Sequence, residues 1–93
     1  MNIKDVLKDS MVKIIDVRSP MEFQGGHVVG SINIPLNEIP QKLAEIKEME
    51  GPLVLCCAAG ARSAQAVYYL QEQGLKNLYN GGGWMDVQWA QNS

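Results

Sequence analysis

Leu53-Val54-Leu55-Cys56-Cys57-Ala58-Ala59-Gly60-Ala61-Arg62-Ser63-Ala64-Gln65-Ala66-Val67-Tyr68-Tyr69-Leu70 is the stretch on which the reading of this 93-residue chain turns. An apolar run comes first, then a loop of small residues, then a longer amphipathic run: strand, tight loop, helix. A cysteine opens the loop, and Arg62 closes it where the helix begins, at Arg62 or Ser63. Small loop residues let backbone N–H groups turn inward. A helix N-terminus above them presents further donors and the positive end of its dipole. Such a field favours thiolate over thiol. An ordinary cysteine has a pKa of about 8.5, and helix N-termini or a nearby arginine lower it to roughly 3.5–7.5. Cys57 is therefore a candidate nucleophile, with Ala58, Ala59, Gly60, Ala61 and Arg62 as the cradle around it.

Outward from this stretch, strands and helices alternate. Asn2 caps a short helix through Ile3, Val6 and Leu7. Met11 to Val17 reads as a strand whose continuous apolar character suits burial on both faces. Ser19-Pro20-Met21-Glu22 is a capping box with proline at the first helical position, and Gly25-Gly26 ends that helix. Ser31 to Pro35 is a short strand. Leu36, Ile39, Leu43 and Ile46 fall on one face of a helix capped by Asn37, with Pro40 in its first turn. The helix after Cys57 runs from Ser63 to Gln73 and stops at Gly74. Leu75 to Tyr79 is a last strand, Asn80-Gly81-Gly82-Gly83 a turn, and Trp84 to Trp89 a closing helix. The pattern predicts an α/β domain over residues 1–93, with a small parallel sheet of four to five strands and helices on both faces. Ligands in such sheets bind at the carboxyl ends of strands, where the Cys57 loop lies.

Composition narrows the function classes. The formal net charge is −2 and the eight basic residues are scattered, so nucleic acid is not an expected partner. No apolar run approaches the ~20 residues of a membrane helix, so no membrane partner is expected either. The initial residues lack a charged-then-apolar signal pattern, and the initiating Met argues against a removed leader. The two cysteines are adjacent, a poor geometry for a disulfide, and a reducing, cytoplasmic compartment fits. Two adjacent cysteines and one histidine fall short of a zinc site, and no metal or cofactor is expected.

The chain resembles a single-domain rhodanese, a sulfurtransferase domain, from about Val12 to Trp84. Ile15-Asp16-Val17-Arg18, Glu22-Phe23, Gly26-His27-Val28-Val29-Gly30-Ser31-Ile32-Asn33-Ile34-Pro35, Cys57 to Ser63, and Gly82-Gly83 carry the resemblance in order. It implies a rhodanese-like fold and a ping-pong transfer in which Cys57 takes a sulfane sulfur as a persulfide. The donor would be thiosulfate, a polysulfide or a persulfide. The acceptor would be a thiol or cyanide, or a protein partner in a sulfur relay. Where many members carry polar or charged side chains in the loop, Ala58, Ala59 and Ala61 offer none, and Arg62 alone supplies charge for a dianion. Where the family often has an aromatic residue, four positions after Gly83, this chain has Val87, and Trp89 follows two residues later.

Counted from Cys56, the same loop is Cys-x5-Arg-Ser, the length used by cysteine phosphatases and arsenate reductases around a tetrahedral anion. Counted from Cys57 it is a smaller ring suited to one sulfur atom, and Gly60 matches the resemblance only in this count. Alternation along the strand groups Leu53, Leu55 and Cys57 against Val54 and Cys56, with Cys56 as the last strand residue. A non-catalytic sulfur-relay or binding module is the third reading. Asp16 and Arg18 are expected to form a structural ion pair, His27 to be structural, and Trp84 and Trp89 to be core or rim aromatics.

Overall fold

The computed structural model describes residues 2–93. Four parallel strands form one sheet: β1 (Lys13–Asp16), β2 (Ile32–Asn33), β3 (Leu53–Cys57) and β4 (Leu78–Gly83), in the order β2-β1-β3-β4. The helices are α1 (Ile3–Val6), α2 (Pro20–Gln24), α3 (Leu43–Lys47), α4 (Ala61–Glu72) and α5 (Trp84–Gln91). None is long and apolar enough to cross a membrane. The predicted α/β architecture with a four-stranded parallel sheet is the observed one.

The central strand β3 is buried at all five positions, and its alternating side chains feed two cores. Leu53, Leu55 and Cys57 join Ile15, Val17, Ile39, Ile46, Ala66 and Leu70 on the α3/α4 face. Val54 and Cys56 join Val6, Ile14, Val28 and Val87 on the α1/α5 face. Period-two alternation in a strand covered on both sides thus sends the adjacent cysteines to opposite layers.

Local chemistry sets the helix starts. Asn2 caps α1 through the Asp5 N–H. Ser19 and Glu22 close the capping box of α2 reciprocally, with Pro20 in the first turn. The predicted helix from Leu36 to Ile46 is instead two short 3₁₀ turns, Leu36–Glu38 and Pro40–Lys42, followed by α3. Pro40 has no N–H to continue an α-helical ladder, and Asn37 caps nothing. The apolar spacing survives the break: Ile39 and Ile46 are buried, and Leu36 and Leu43 pack against the same core.

Two further expectations are corrected. Helix α4 begins at Ala61 rather than Arg62 or Ser63 and ends at Glu72. Asn80-Gly81-Gly82-Gly83 is strand, not a turn, and completes β4 beside β3. The pairing passes from Leu55–Asn80 to Cys56–Gly82, so Gly81 is the extra residue of a bulge.

Candidate active site

Cys57, not Cys56, is the last residue of β3, and its side chain lies under the N-terminus of α4. The chain climbs through exposed Ala58 and Ala59 to Gly60, which caps α4 at φ +106°, a conformation that favours glycine. Gly60 has no side chain to accept the free N–H groups of the first helical turn, and the Cys57 sulfur takes that place. Sγ accepts the Gly60 N–H at 3.0 Å and the Ser63 N–H at 3.4 Å, and the Ser63 hydroxyl is also 3.4 Å away. A sulfur thus stands where the side-chain oxygen of an N-cap residue usually does. A thiolate serves there better than a thiol, because it is the stronger acceptor.

The electrostatics follow from this geometry. Burial pushes the Cys57 thiol up, since its side chain is 1% exposed. The Ser63 hydroxyl and the amides of Ser63, Ala59 and Gly60 outweigh burial and bring it down to about 7. Cys56 is the opposite case. Apolar burial, with Asp16 and Cys57 adding to it against Arg18, pushes its thiol up to about 12. The two environments push the adjacent thiols in opposite directions, Cys57 toward the thiolate and Cys56 toward the thiol.

Arg62 lies elsewhere than the spacing suggested. Its guanidinium turns to α2, where Nη1 donates to Glu22 Oε1 at 2.7 Å and Nη2 to Glu22 Oε2 at 3.0 Å. The hydrogen bond from Arg62 is the main cause holding the Glu22 carboxyl down at about 2, with the Ser19 N–H assisting. Ala61 is exposed at the first helical position, and neither it nor Ala58 bonds to the sulfur. The cradle of Ala58, Ala59, Gly60 and Ala61 is therefore a backbone cradle, in which Gly60 carries the short contact.

Three contributors escaped the sequence reading. Ser63 is fully buried and supplies two of the contacts to Sγ. Asn80, assigned to a turn, brings its Oδ1 to 2.7 Å from the Ser63 hydroxyl, and its Nδ2 donates to the Gly60 carbonyl at 3.2 Å. Glu22, expected in a capping box and in the Glu22-Phe23 motif of the resemblance, also engages Arg62. A serine three residues after the loop glycine was the one available signal, since it falls where a helix offers its third free N–H.

Asp16 and Arg18 pair as expected, whereas Trp89, expected in the core or at its rim, is 78% exposed. Asp16 and Arg18 form a buried ion pair with Arg18 Nη2 at 2.7 Å from Asp16 Oδ2. Arg18 also donates to the Gly26 carbonyl at 2.7 Å and lies 4.9 Å from the Trp84 ring centroid. His27 stacks on Phe23 at 3.8 Å and its Nδ1 meets the Phe23 carbonyl oxygen at 2.8 Å. Val87 is buried in the α1/α5 core, while Trp89 is exposed. Among the described residues, no group of three His, Cys, Asp or Glu gathers around a metal position.

The chain matches the family described as "Rhodanese-like domain" over residues 2–89. It is 39% identical over 74 residues to the thiosulfate sulfurtransferase PspE of Escherichia coli K12, covering 78% of this chain and 71% of that protein. It is 41% identical over 68 residues to the protein YqhL of Bacillus subtilis, covering 73% of this chain. The match spans 53% of YqhL, about half its length. A solved structure of a "rhodanese with anions from E. coli" superposes with a TM-score of 0.73 at 38% identity, over 81% of this chain and 89% of that one. The chain belongs to the rhodanese-like domain family.

Proposed function

We propose that this protein is a rhodanese-type sulfurtransferase that carries sulfur on Cys57 as a persulfide. The observation that carries the reading is the Cys57 sulfur held by the Gly60 and Ser63 donors, which brings its thiol to about 7. In the first step the Cys57 thiolate attacks the sulfane sulfur of a donor. With thiosulfate, the S–S bond breaks and sulfite leaves with the bonding pair. In the second step a thiolate or cyanide attacks the outer sulfur of the Cys57 persulfide. The bond to Sγ breaks, the electron pair returns to Sγ, and the donors that held the original thiolate receive the charge again. The acceptor leaves as a hydropersulfide or as thiocyanate. Ala58, Ala59, Gly60, Ala61 and Arg62 frame the site, no cofactor takes part, and a reducing, cytoplasmic compartment keeps Cys57 reduced between turnovers. A thiol-bearing protein in a sulfur relay is an acceptor of the same chemistry.

The phosphatase or arsenate-reductase alternative needs Cys56 as nucleophile. That thiol is fully buried in the α1/α5 core and pushed up to about 12, which disfavours it. Intact-mass spectrometry after exposure to a sulfane-sulfur donor tests the proposal. The wild type and Cys56→Ser should gain the mass of one sulfur atom, and Cys57→Ser should gain none. A wild type that gains no sulfur from any donor class would leave the non-catalytic module as the surviving reading.

A further inference from the structure

Arg62 closes the Cys57 loop, yet its charge is already answered. Both of its terminal nitrogens donate to the two Glu22 oxygens, at 2.7 and 3.0 Å. Glu22 is itself held from the other side, because its Oε1 accepts the Ser19 N–H at 3.0 Å in the α2 capping box. A carboxylate clamped from two elements, facing a bidentate guanidinium, is more ordered than an ordinary surface pair. The other loop side chains, Ala58, Ala59 and Ala61, carry no charge. A dianion approaching Cys57 therefore meets amide dipoles but no net positive side-chain charge. Beside Arg62 runs an open groove of about 380 Å³, with apolar walls at Val17, Pro20, Pro35 and Leu36 and polar groups at Ser19, Asn37 and Glu38. Its apolar walls suit a short hydrocarbon body, and its one further charge is negative.

We propose that the Glu22–Arg62 pair is a charge screen that makes the Cys57 site prefer organic hydropersulfides, which carry at most one charge on sulfur, over the dianion thiosulfate. The inference rests on the persulfide reading above and names its donor class. In the step it describes, the Cys57 thiolate attacks the outer sulfur of R–S–SH. The R–S to SH bond breaks, RS⁻ leaves with the electron pair and takes a proton from water, and Cys57–S–SH remains. The organic group R lies along the groove beside Arg62.

Single-turnover loading of Cys57, followed by intact mass, tests this with thiosulfate and with 2-hydroxyethyl hydropersulfide as donors. Glu22→Gln keeps an acceptor for the Ser19 N–H, so the capping box survives, but it leaves the Arg62 charge uncancelled. The ratio of thiosulfate rate to hydropersulfide rate should rise about threefold to tenfold, and the rise should shrink at high salt. Arg62→Gln leaves the Glu22 charge uncancelled and should move the ratio the other way. The double variant should return it close to the wild-type value. An unchanged ratio in both single variants, or a change insensitive to salt, would make the pair purely structural and overturn the proposal. Absence of loading from either donor in the wild type would instead strike the persulfide reading on which it stands.

Discussion

The Ser63 hydroxyl lies 2.7 Å from Asn80 Oδ1, which ties the first turn of α4 to the end strand β4. The same hydroxyl is 3.4 Å from Cys57 Sγ and 3.1 Å from the Gly60 carbonyl. It has one proton to give and three acceptors around it. Asn80 Oδ1 also accepts the Gly82 N–H at 2.9 Å, which fixes the amide in place. Asn80 thereby positions Ser63 against the Cys57 sulfur and competes with that sulfur for its proton.

Substitutions at this pair should move the Cys57 titration in a known direction. Asn80→Asp places a negative charge beside Ser63 and turns a carboxylate oxygen toward the Gly60 carbonyl. The charge, and its stronger hold on the Ser63 proton, disfavour the nearby thiolate, so the alkylation midpoint should rise from about 7. Ser63→Ala removes the hydroxyl but keeps the Ser63 backbone donor, and should also raise the midpoint. The pH dependence of Cys57 reaction with iodoacetamide reads both. A midpoint that stays put in both variants would leave the backbone amides as the whole cause.

The buried Asp16–Arg18 pair should be costly to break and cheaper to replace. Asp16 is fully buried and both of its oxygens accept from Arg18. Arg18→Met strands that carboxylate without its partner, a change worth about 3–5 kcal/mol of stability. Pairing it with Asp16→Asn should recover part of the loss in urea denaturation. If the double variant were as unstable as Arg18→Met alone, the penalty would come from the lost Arg18 bonds to the Gly26 and Glu22 carbonyls instead.

The sequence foretold the elements whose cause is local. The capping box at Ser19 and Glu22, the Asn2 cap and the alternation of β3 are short-range patterns, and each appears as read. The Asn80–Gly83 half of β4 was hidden because its glycines imitate a turn, while Leu78 and Tyr79 fall in the strand expected there. The glycines are needed for close approach: a Cβ on Gly81 would fall 2.6 Å from Val87 Cγ2, and one on Gly83 2.9 Å from the Ala58 carbonyl oxygen. Nothing in the local sequence announces those neighbours. The same holds for Glu22 and Arg62, 40 residues apart, and for Ser63 and Asn80, 17 apart. The Cys57 loop was legible in its backbone and illegible in the side chains around the sulfur.

The two cysteines should give the folded protein a stability optimum at mildly alkaline pH. The donors around Sγ hold the folded Cys57 thiol down at about 7, below the roughly 8.5–9.0 of an ordinary cysteine. Between these values the unfolded chain holds a proton that the folded one has released, so stability rises with pH. The rise is about 2–3 kcal/mol, since each unit of difference is worth about 1.4 kcal/mol. Below about 7 that contribution is lost. Cys56 acts with the opposite sign, because its folded value of about 12 lies above 9.0. As pH climbs past 9.0 the unfolded chain releases the Cys56 proton while the folded chain keeps it, and stability falls. Urea midpoints across this range should therefore climb and then drop. Cys57→Ser should flatten the climb and leave the drop. Cys56→Ala should lower the whole curve through its cavity in the α1/α5 core and remove part of the drop. A wild-type curve flat between neutrality and 9.0 would mean that the donors around Sγ hold the thiol as well as they hold the thiolate, and the nucleophile would then need activation by its substrate.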